Sequence, residues 1–242
     1  MPTRFWAIAD THLSFGRPKD MDRFGPRWTN YTQRIAAAWN ELITADDIVL
    51  LPGDVSWAHS LPKLMLDLNW LAELPGRKVL LRGNHDHWWK NIEAVRKIVT
   101  PLGFYALEGD SITLDGVVLC GAMGNIAPED PYYVEDPKKD RYHRELARLE
   151  LALQHGVEQR ADGQPLILLM HYPPFTSDAK PTAYVKLITR YAPTLCLYGH
   201  LHRSEEWQVA VNGVYEHVLY RLVASDYIGM TPQLVWTTED KT

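Results

Sequence analysis

The chain has two cysteines in 242 residues, Cys120 and Cys196, each inside an apolar run and neither in a Cys-x-x-Cys arrangement. That excludes a disulfide framework, and both thiols read as buried small hydrophobes in a reducing compartment. Long apolar runs are missing as well. The first, residues 5–9, meets Asp10 before it reaches the length of a signal-peptide core, and no later segment approaches a membrane span. A cytoplasmic protein without a membrane partner is the expectation. There is no excess of positive charge. The formal net charge is -5, spread along the chain rather than gathered in a tail, so nucleic acid is not an expected partner and any anionic substrate must be attracted locally. Repeats, low-complexity tracts and Gly/Ser linkers are absent too.

What is present is a chain with 46% apolar residues, long enough for one large domain and a substantial core. Five short apolar runs end abruptly in polar or glycine-containing clusters: FWAIA before Asp10, DIVLL before Pro52-Gly53-Asp54, KVLL before Arg82-Gly83-Asn84, LILLM before His171, and TLCLY before Gly199-His200. Continuous runs bounded by turn signals are what strands buried on both faces look like. Segments with helical spacing lie between them, at 31–42, 61–74, 89–99 and 140–154. The alternation implies an α/β architecture with parallel pairing. Asp115-Gly116 and Asn212-Gly213, the latter between WQVAV and VYEHVLY, signal hairpins, so the sheets are expected to be mixed. Two irregular stretches, 14–28 and 123–140, are long enough to serve as lids or binding loops or to be plain surface excursions.

In α/β sheets ligands bind where the loops leave the carboxyl ends of the strands. The five clusters therefore point to one place. They collect two carboxylates (Asp10, Asp54), one amide oxygen (Asn84) and four imidazoles (His12, His171, His200, His202), and no thiolate. In extended backbone, residues two apart share a face, so Asp10 with His12 and His200 with His202 would each present two donors to one ion. Such mixed nitrogen and oxygen donors suit manganese, iron or zinc. Seven ligands are too many for one ion that keeps an open position, whereas two ions sharing a bridging carboxylate solve the count.

The ordered set of DxH, GD, GNH with a following acid, a lone His and GHxH, running from Asp10 to His202, resembles the calcineurin-like metallophosphoesterase superfamily. The resemblance implies a four-layer α-β-β-α sandwich, two mixed β-sheets flanked by helices, formed by residues 1–242 as one domain. It implies that Asp10, His12 and His202 hold one divalent metal, that Asn84, His171 and His200 hold the other, and that Asp54 bridges both. Manganese is the expected ion, with iron or zinc as alternatives. His85 would be the non-ligand histidine that contacts the substrate phosphate and protonates the leaving oxygen, with Asp86 orienting its ring. The implied activity is hydrolysis of a small phosphate ester by hydroxide generated at the metals.

Departures from subfamily patterns narrow the expectation. Serine/threonine phosphatases of this superfamily follow their GD with Asp-Arg-Gly and carry GNHE; here Gly53-Asp54 leads into Val55-Ser56-Trp57-Ala58, and the third block ends in Asp86. DTHL with GNHD is similar to the bacterial phosphodiesterase side of the superfamily. A phosphodiesterase is therefore expected, with a phosphomonoesterase or nucleotide hydrolase, a nuclease, or a non-catalytic scaffold of the same fold as alternatives. Trp57, Trp88 and Trp89 adjoin ligand loops, where an indole stacks on a base or packs the boundary between sheet and helix; packing is expected for at least two. Arg17, Lys19, Arg23 and Arg27 would contact a second phosphate or be solvated, and solvation is the expectation. His59, His87, His143, His155 and His217 match no block and read as surface or core residues, His87 standing nearest the site.

Overall fold

The computed structural model describes residues 2–135 and 140–239. The first half of the chain alternates β1 (Arg4–Ala7), α1 (Tyr31–Leu42), β2 (Ile48–Pro52), α2 (Leu61–Glu73), β3 (Arg77–Leu81), α3 (Ile92–Val99) and β4 (Tyr105–Leu107). A hairpin of β5 (Asp110–Leu114) and β6 (Val117–Ala122) follows. Then come α4 (Arg141–Gln159), β7 (Leu166–Met170), α5 (Ala183–Tyr191), β8 (Leu195–Tyr198), a short α6 (Ser204–Val209), β9 (Gly213–Tyr215), β10 (Val218–Leu222) and β11 (Gln233–Thr237).

These strands form two mixed sheets. The first has the order β11-β1-β2-β3-β4, parallel except for β11; the second has the order β5-β6-β7-β8-β10-β9, parallel at its centre with antiparallel edges. Period-two alternation explains why the central strands are apolar throughout. In β2, Ile48 and Leu50 enter the layer between the sheets while Val49 and Leu51 pack under the helices. In β7, Ile167 and Leu169 meet the same inter-sheet layer while Leu166 and Leu168 face α4 and α5. Each strand therefore needs apolar residues on both faces, and the expected four-layer sandwich results.

Local expectations were met unevenly. The Asp115-Gly116 turn closes β5 on β6, and Cys120 and Cys196 are fully buried. The Asn212-Gly213 hairpin is a correction: WQVAV ends a helix, and the turn joining β9 to β10 falls at Glu216-His217, both at positive φ (43° and 70°). Two consecutive left-handed residues fit the twist of a tight hairpin, and here tertiary context supplies them without glycine. The helix expected from residue 89 starts at Ile92, capped by the Asn91 side chain. The 14–28 stretch contains two short 3-10 turns, at Asp22–Phe24 and Pro26–Trp28, and residues 136–139 of the second stretch lie outside the described residues.

Candidate metal centre

The sheets bring their strand ends together at one edge. Asp10 and His12 follow β1, Asp54 follows β2, and Asn84 and His85 follow β3; His171 follows β7, and His200 and His202 follow β8. The loops after β1 and β2 run side by side, with His12 N donating to Asp54 O (2.9 Å), Leu13 N to Val55 O (2.9 Å) and Trp57 N to Leu13 O (2.9 Å). The first sheet is tied to the second by Ser225 Oγ donating to Asp10 O (2.7 Å). All seven sequence-derived ligand candidates thus converge, but not by sharing a face of extended backbone. Asp10, His12, Asp54 and His200 sit at positive φ (58°, 45°, 52° and 73°), left-handed positions that cost on the order of 1–3 kcal/mol each for non-glycine residues. Each side chain is aimed by a local twist held by tertiary bonds.

Two glycines make the close approach possible. A Cβ on Gly83 would overlap the backbone N and carboxylate of Asp54, and one on Gly199 would overlap the Asp10 carboxylate. The block patterns GN and GH therefore carry a packing requirement as well as donors.

The oxygens are fixed from the backbone. Asp54 Oδ1 accepts His85 N (2.7 Å), and Asp10 Oδ2 accepts His200 N (3.0 Å). Their other oxygens face the cluster: Asp54 Oδ2 lies 3.8 Å from His12 Nε2 and 3.5 Å from His171 Nε2, between the two ligand sets. Asp10 Oδ1 lies 3.6 Å from His202 Nε2 and has no hydrogen-bond partner. Burial works against ionisation of Asp10, but the histidines His202, His171 and His12 around it prevail and hold its carboxyl below the ordinary range. Burial and then the charge of Asp10 push Asp54 upwards. Two buried carboxylates sharing a site compete for charge in this way unless a cation lies between them.

The imidazoles are turned by their outer nitrogens. His171 Nδ1 donates to Pro52 O (3.1 Å), leaving the Nε2 lone pair to face Asn84 Oδ1 at 2.8 Å and His200 Nδ1 at 3.3 Å. His202 Nδ1 donates to Asp226 Oδ1 (3.0 Å), so its Nε2 faces His12 Nε2 at 3.4 Å. Burial lowers His12, His171 and His200, the last to about 3. Burial opposes protonation of His202 too, but the carboxylates of Asp10 and Asp226 beside it win and raise it.

His171 Nε2 and Asn84 Oδ1 face each other as two acceptors, and Asp10 Oδ1 is buried without a partner. A cation resolves that arrangement. Donor atoms of Asp10, His12 and His202, and of Asp10, Asp54 and His171, lie within 4.8 Å of one another. Nitrogen and oxygen donors without sulfur fit a divalent ion of borderline or hard character.

The family model described as calcineurin-like phosphoesterase matches residues 3–204. The chain belongs to that family. Among curated proteins, this phosphoesterase is similar to the Gene 66 protein of Mycobacterium phage L5, at 30% identity over 83% of this chain and 96% of that one. It is also similar to the Gene 66 protein of Mycobacterium phage D29, at 34% identity over 81% of this chain and 77% of that one. Among solved structures, a protein of unknown function, AQ665 from Aquifex aeolicus, shares the fold with a TM-score of 0.51 at 16% identity, covering 95% of this chain and 94% of the other. Family membership and the candidate ligand groups make the chain a metal-dependent phosphoesterase. Among the described residues no helix is long and apolar enough to cross a membrane.

Around the phosphoesterase cluster the structure sorts the remaining residues. Asp86 does not orient the His85 ring. Its Oδ1 accepts Val55 N, Ser56 N and Trp88 Nε1 (3.0 Å each), and its Oδ2 accepts Gly83 N (2.8 Å), so it locks the post-β2 and post-β3 loops together. Burial and then Asp54 raise it to about 6. Trp88 and Trp89 are buried packing residues, the latter bonded to Glu108 Oε2 (3.0 Å). Trp57 differs: it stacks on His12 (centroids 4.8 Å apart, planes at 17°) and touches the His85 ring at 4.4 Å. The His85 imidazole is lowered to about 4 by burial, then by the charge of Lys19.

Solvation of Lys19 is likewise a correction. Its ammonium lies over the Trp57 ring at 3.0 Å, half-buried, and among the described residues it forms no ion pair. Arg17 contacts His59, and Arg27 covers Trp207 at 4.5 Å. His59 and His87 meet edge to face at 4.7 Å on the exposed rim; His143 pairs with Asp140 away from the site. Sequence reasoning missed Asp226 and Tyr172, whose ring lies 4.1 Å from that of His200. Asp226 had one signal, its position just beyond an apolar strand end.

Proposed function

We propose that the chain is a two-metal phosphohydrolase acting on phosphodiesters, with Asp10, His12 and His202 holding one ion, Asn84, His171 and His200 the other, and Asp54 shared. The observation that carries this reading is the inward-facing donor set, in which Asp10 Oδ1 is buried without a partner and Asp54 Oδ2 lies 3.8 Å from His12 Nε2 and 3.5 Å from His171 Nε2. Manganese is the ion proposed first, because oxygen donors are well represented and thiolate is absent. When bound, the ions would neutralise phosphate oxygens and activate water for attack.

The chain's own residues supply positioning and charge. His85, half-buried beside Trp57 at the edge of the cluster, would contact the anionic phosphate, whose charge favours the imidazolium, and pass a proton to the departing ester oxygen as the phosphorus–oxygen bond breaks, while the water whose oxygen takes its place releases a proton to solvent. Lys19, held over Trp57, adds a positive charge on the same side. The Asp10 and Asp54 carboxylates are held by backbone N–H groups, so no reorganisation is needed as charge develops.

Replacing Asp54 with Asn tests the reading. Turnover of bis-p-nitrophenyl phosphate with added manganese is expected to fall on the order of 10²-fold or more, with reduced metal content by elemental analysis. Full activity in D54N overturns the shared-ligand mechanism. A panel of aryl monoesters, aryl diesters and cyclic nucleotides under the same conditions separates diesterase from monoesterase.

A further inference from the structure

Beyond the ligand cluster, a cavity of about 720 Å³ opens against the outer side of His200 and Tyr172. Its walls are largely apolar, with Leu201, Val209 and Val211 on one side and Phe175 behind. The cavity's charges are almost all negative. Among the described residues Arg203 is the one lysine or arginine of its lining and is bonded to Glu206 (3.0 Å), while neither Asp130 nor Glu205 forms an ion pair. On the opposite side of the cluster Lys19 is flanked by the positive charges of Arg17 and Arg23.

We infer that this cavity is the subsite for an uncharged, aromatic or apolar organic group of the ester, and that it rejects a second phosphate. The inference rests on the phosphoesterase reading for its orientation: a phosphate at the ligand cluster directs one substituent past His200 into the cavity. Tyr172, packed against His200 at 4.1 Å, supplies a ring face at the junction. An uncharged ring entering there exchanges water for apolar walls. A further phosphate would face Asp130 and Glu205 unneutralised, which is unfavourable. The volume suits a nucleoside-sized group.

Two variants and three probes test it. Val209, partly exposed at the cavity wall, is replaced by Trp to fill the space, and Glu205, exposed at the rim, by Arg to reverse its charge. With thymidine 5′-(p-nitrophenyl phosphate), V209W is expected to raise KM about tenfold with kcat within about twofold. Adding a 3′-phosphate to that substrate is expected to raise the wild-type KM, and E205R to recover part of the loss. Thymidine itself, observed by saturation-transfer NMR on metal-free protein, is expected to bind wild type and to bind V209W more weakly.

An unchanged KM in V209W, or a 3′-phosphate that improves binding to wild type, overturns the subsite. If no ester is turned over by the metal-loaded protein but thymidine binding is lost in V209W, the subsite stands and the phosphoesterase reading falls. If the esters are turned over and thymidine does not bind, the reverse holds.

Discussion

The two sheets contribute unlike halves of the candidate metal centre. From the first come Asp10, Asp54, Asn84, His12 and His85, a set that includes both carboxylates and the amide; from the second come His171, His200 and His202, imidazoles alone. The carboxylates are fixed by backbone N–H groups at the mouths of adjoining loops, with glycines letting those backbones approach. Two of the second-sheet imidazoles are fixed by acceptors from elsewhere, Pro52 O in the other sheet and Asp226 after β10. The carboxylates are thus fixed by backbone N–H donors and these imidazoles by a carbonyl and a carboxylate acceptor, so different substitutions should break them.

The largest expected effect in this comparison comes from the first half. His85→Ala leaves every proposed ligand in place, and Asp54 still accepts the residue-85 backbone N–H. Metal content should therefore be retained while turnover falls on the order of 10²–10⁴-fold, the range for a lost acid or base. A series of aryl diesters with leaving groups of increasing pKa sharpens the assignment. A loss that grows with leaving-group pKa marks proton donation, and an equal loss throughout marks charge stabilisation.

The second half should fail in the opposite way. Asp226→Asn removes the charge that holds the His202 Nδ1 proton, while an amide oxygen can still accept the bond. Outer partners of this kind are worth about 10–100-fold in metal affinity. Titration of metal-stripped D226N should show one weakened ion, with turnover restored at high metal concentration. Equal affinity for both ions in D226N and wild type would remove Asp226 from the site.

The same division explains what could be read from the sequence. Central strands buried on both faces leave unbroken apolar runs, so β1, β2, β3, β7 and β8 and the convergence of the ligand candidates at their ends are legible, and the four layers follow from family resemblance. The positive φ values at Asp10, His12, Asp54 and His200 were not legible, because tertiary hydrogen bonds impose them against local preference. Resemblance makes Asp86 a partner of its neighbour His85, whereas its four bonds reach Val55, Ser56, Gly83 and Trp88. Asp226 had no block to announce it, since its role is defined by a histidine 24 residues earlier. The Asn212-Gly213 signal failed for a related reason: α6 packs Trp207 inward, its Nε1 bonded to Leu201 O (2.8 Å), and turns the preceding segment into helix.

A smaller effect separates the sheets by stability rather than chemistry. The first sheet buries a charge under its helices: Lys78 of β3 is 2% exposed and donates to Leu74 O near Trp39 and Phe104, whereas the second sheet places the thiols of Cys120 and Cys196 at comparable depth. Burial lowers Lys78 from 10.5 to about 8. Between those values the unfolded chain holds a proton that the folded chain has released, so wild-type stability should rise with pH through that window and be flat below it. Lys78→Met removes this term. The free energy of unfolding of wild type relative to K78M should therefore climb from pH 8 towards pH 10, by at most about 1.4 kcal/mol per pH unit. Urea melts of both proteins across that range would show it. Parallel curves would mean that Lys78 keeps its proton in the folded state, with its ammonium fully stabilised by the helix-terminal carbonyl of Leu74 and the rings beside it.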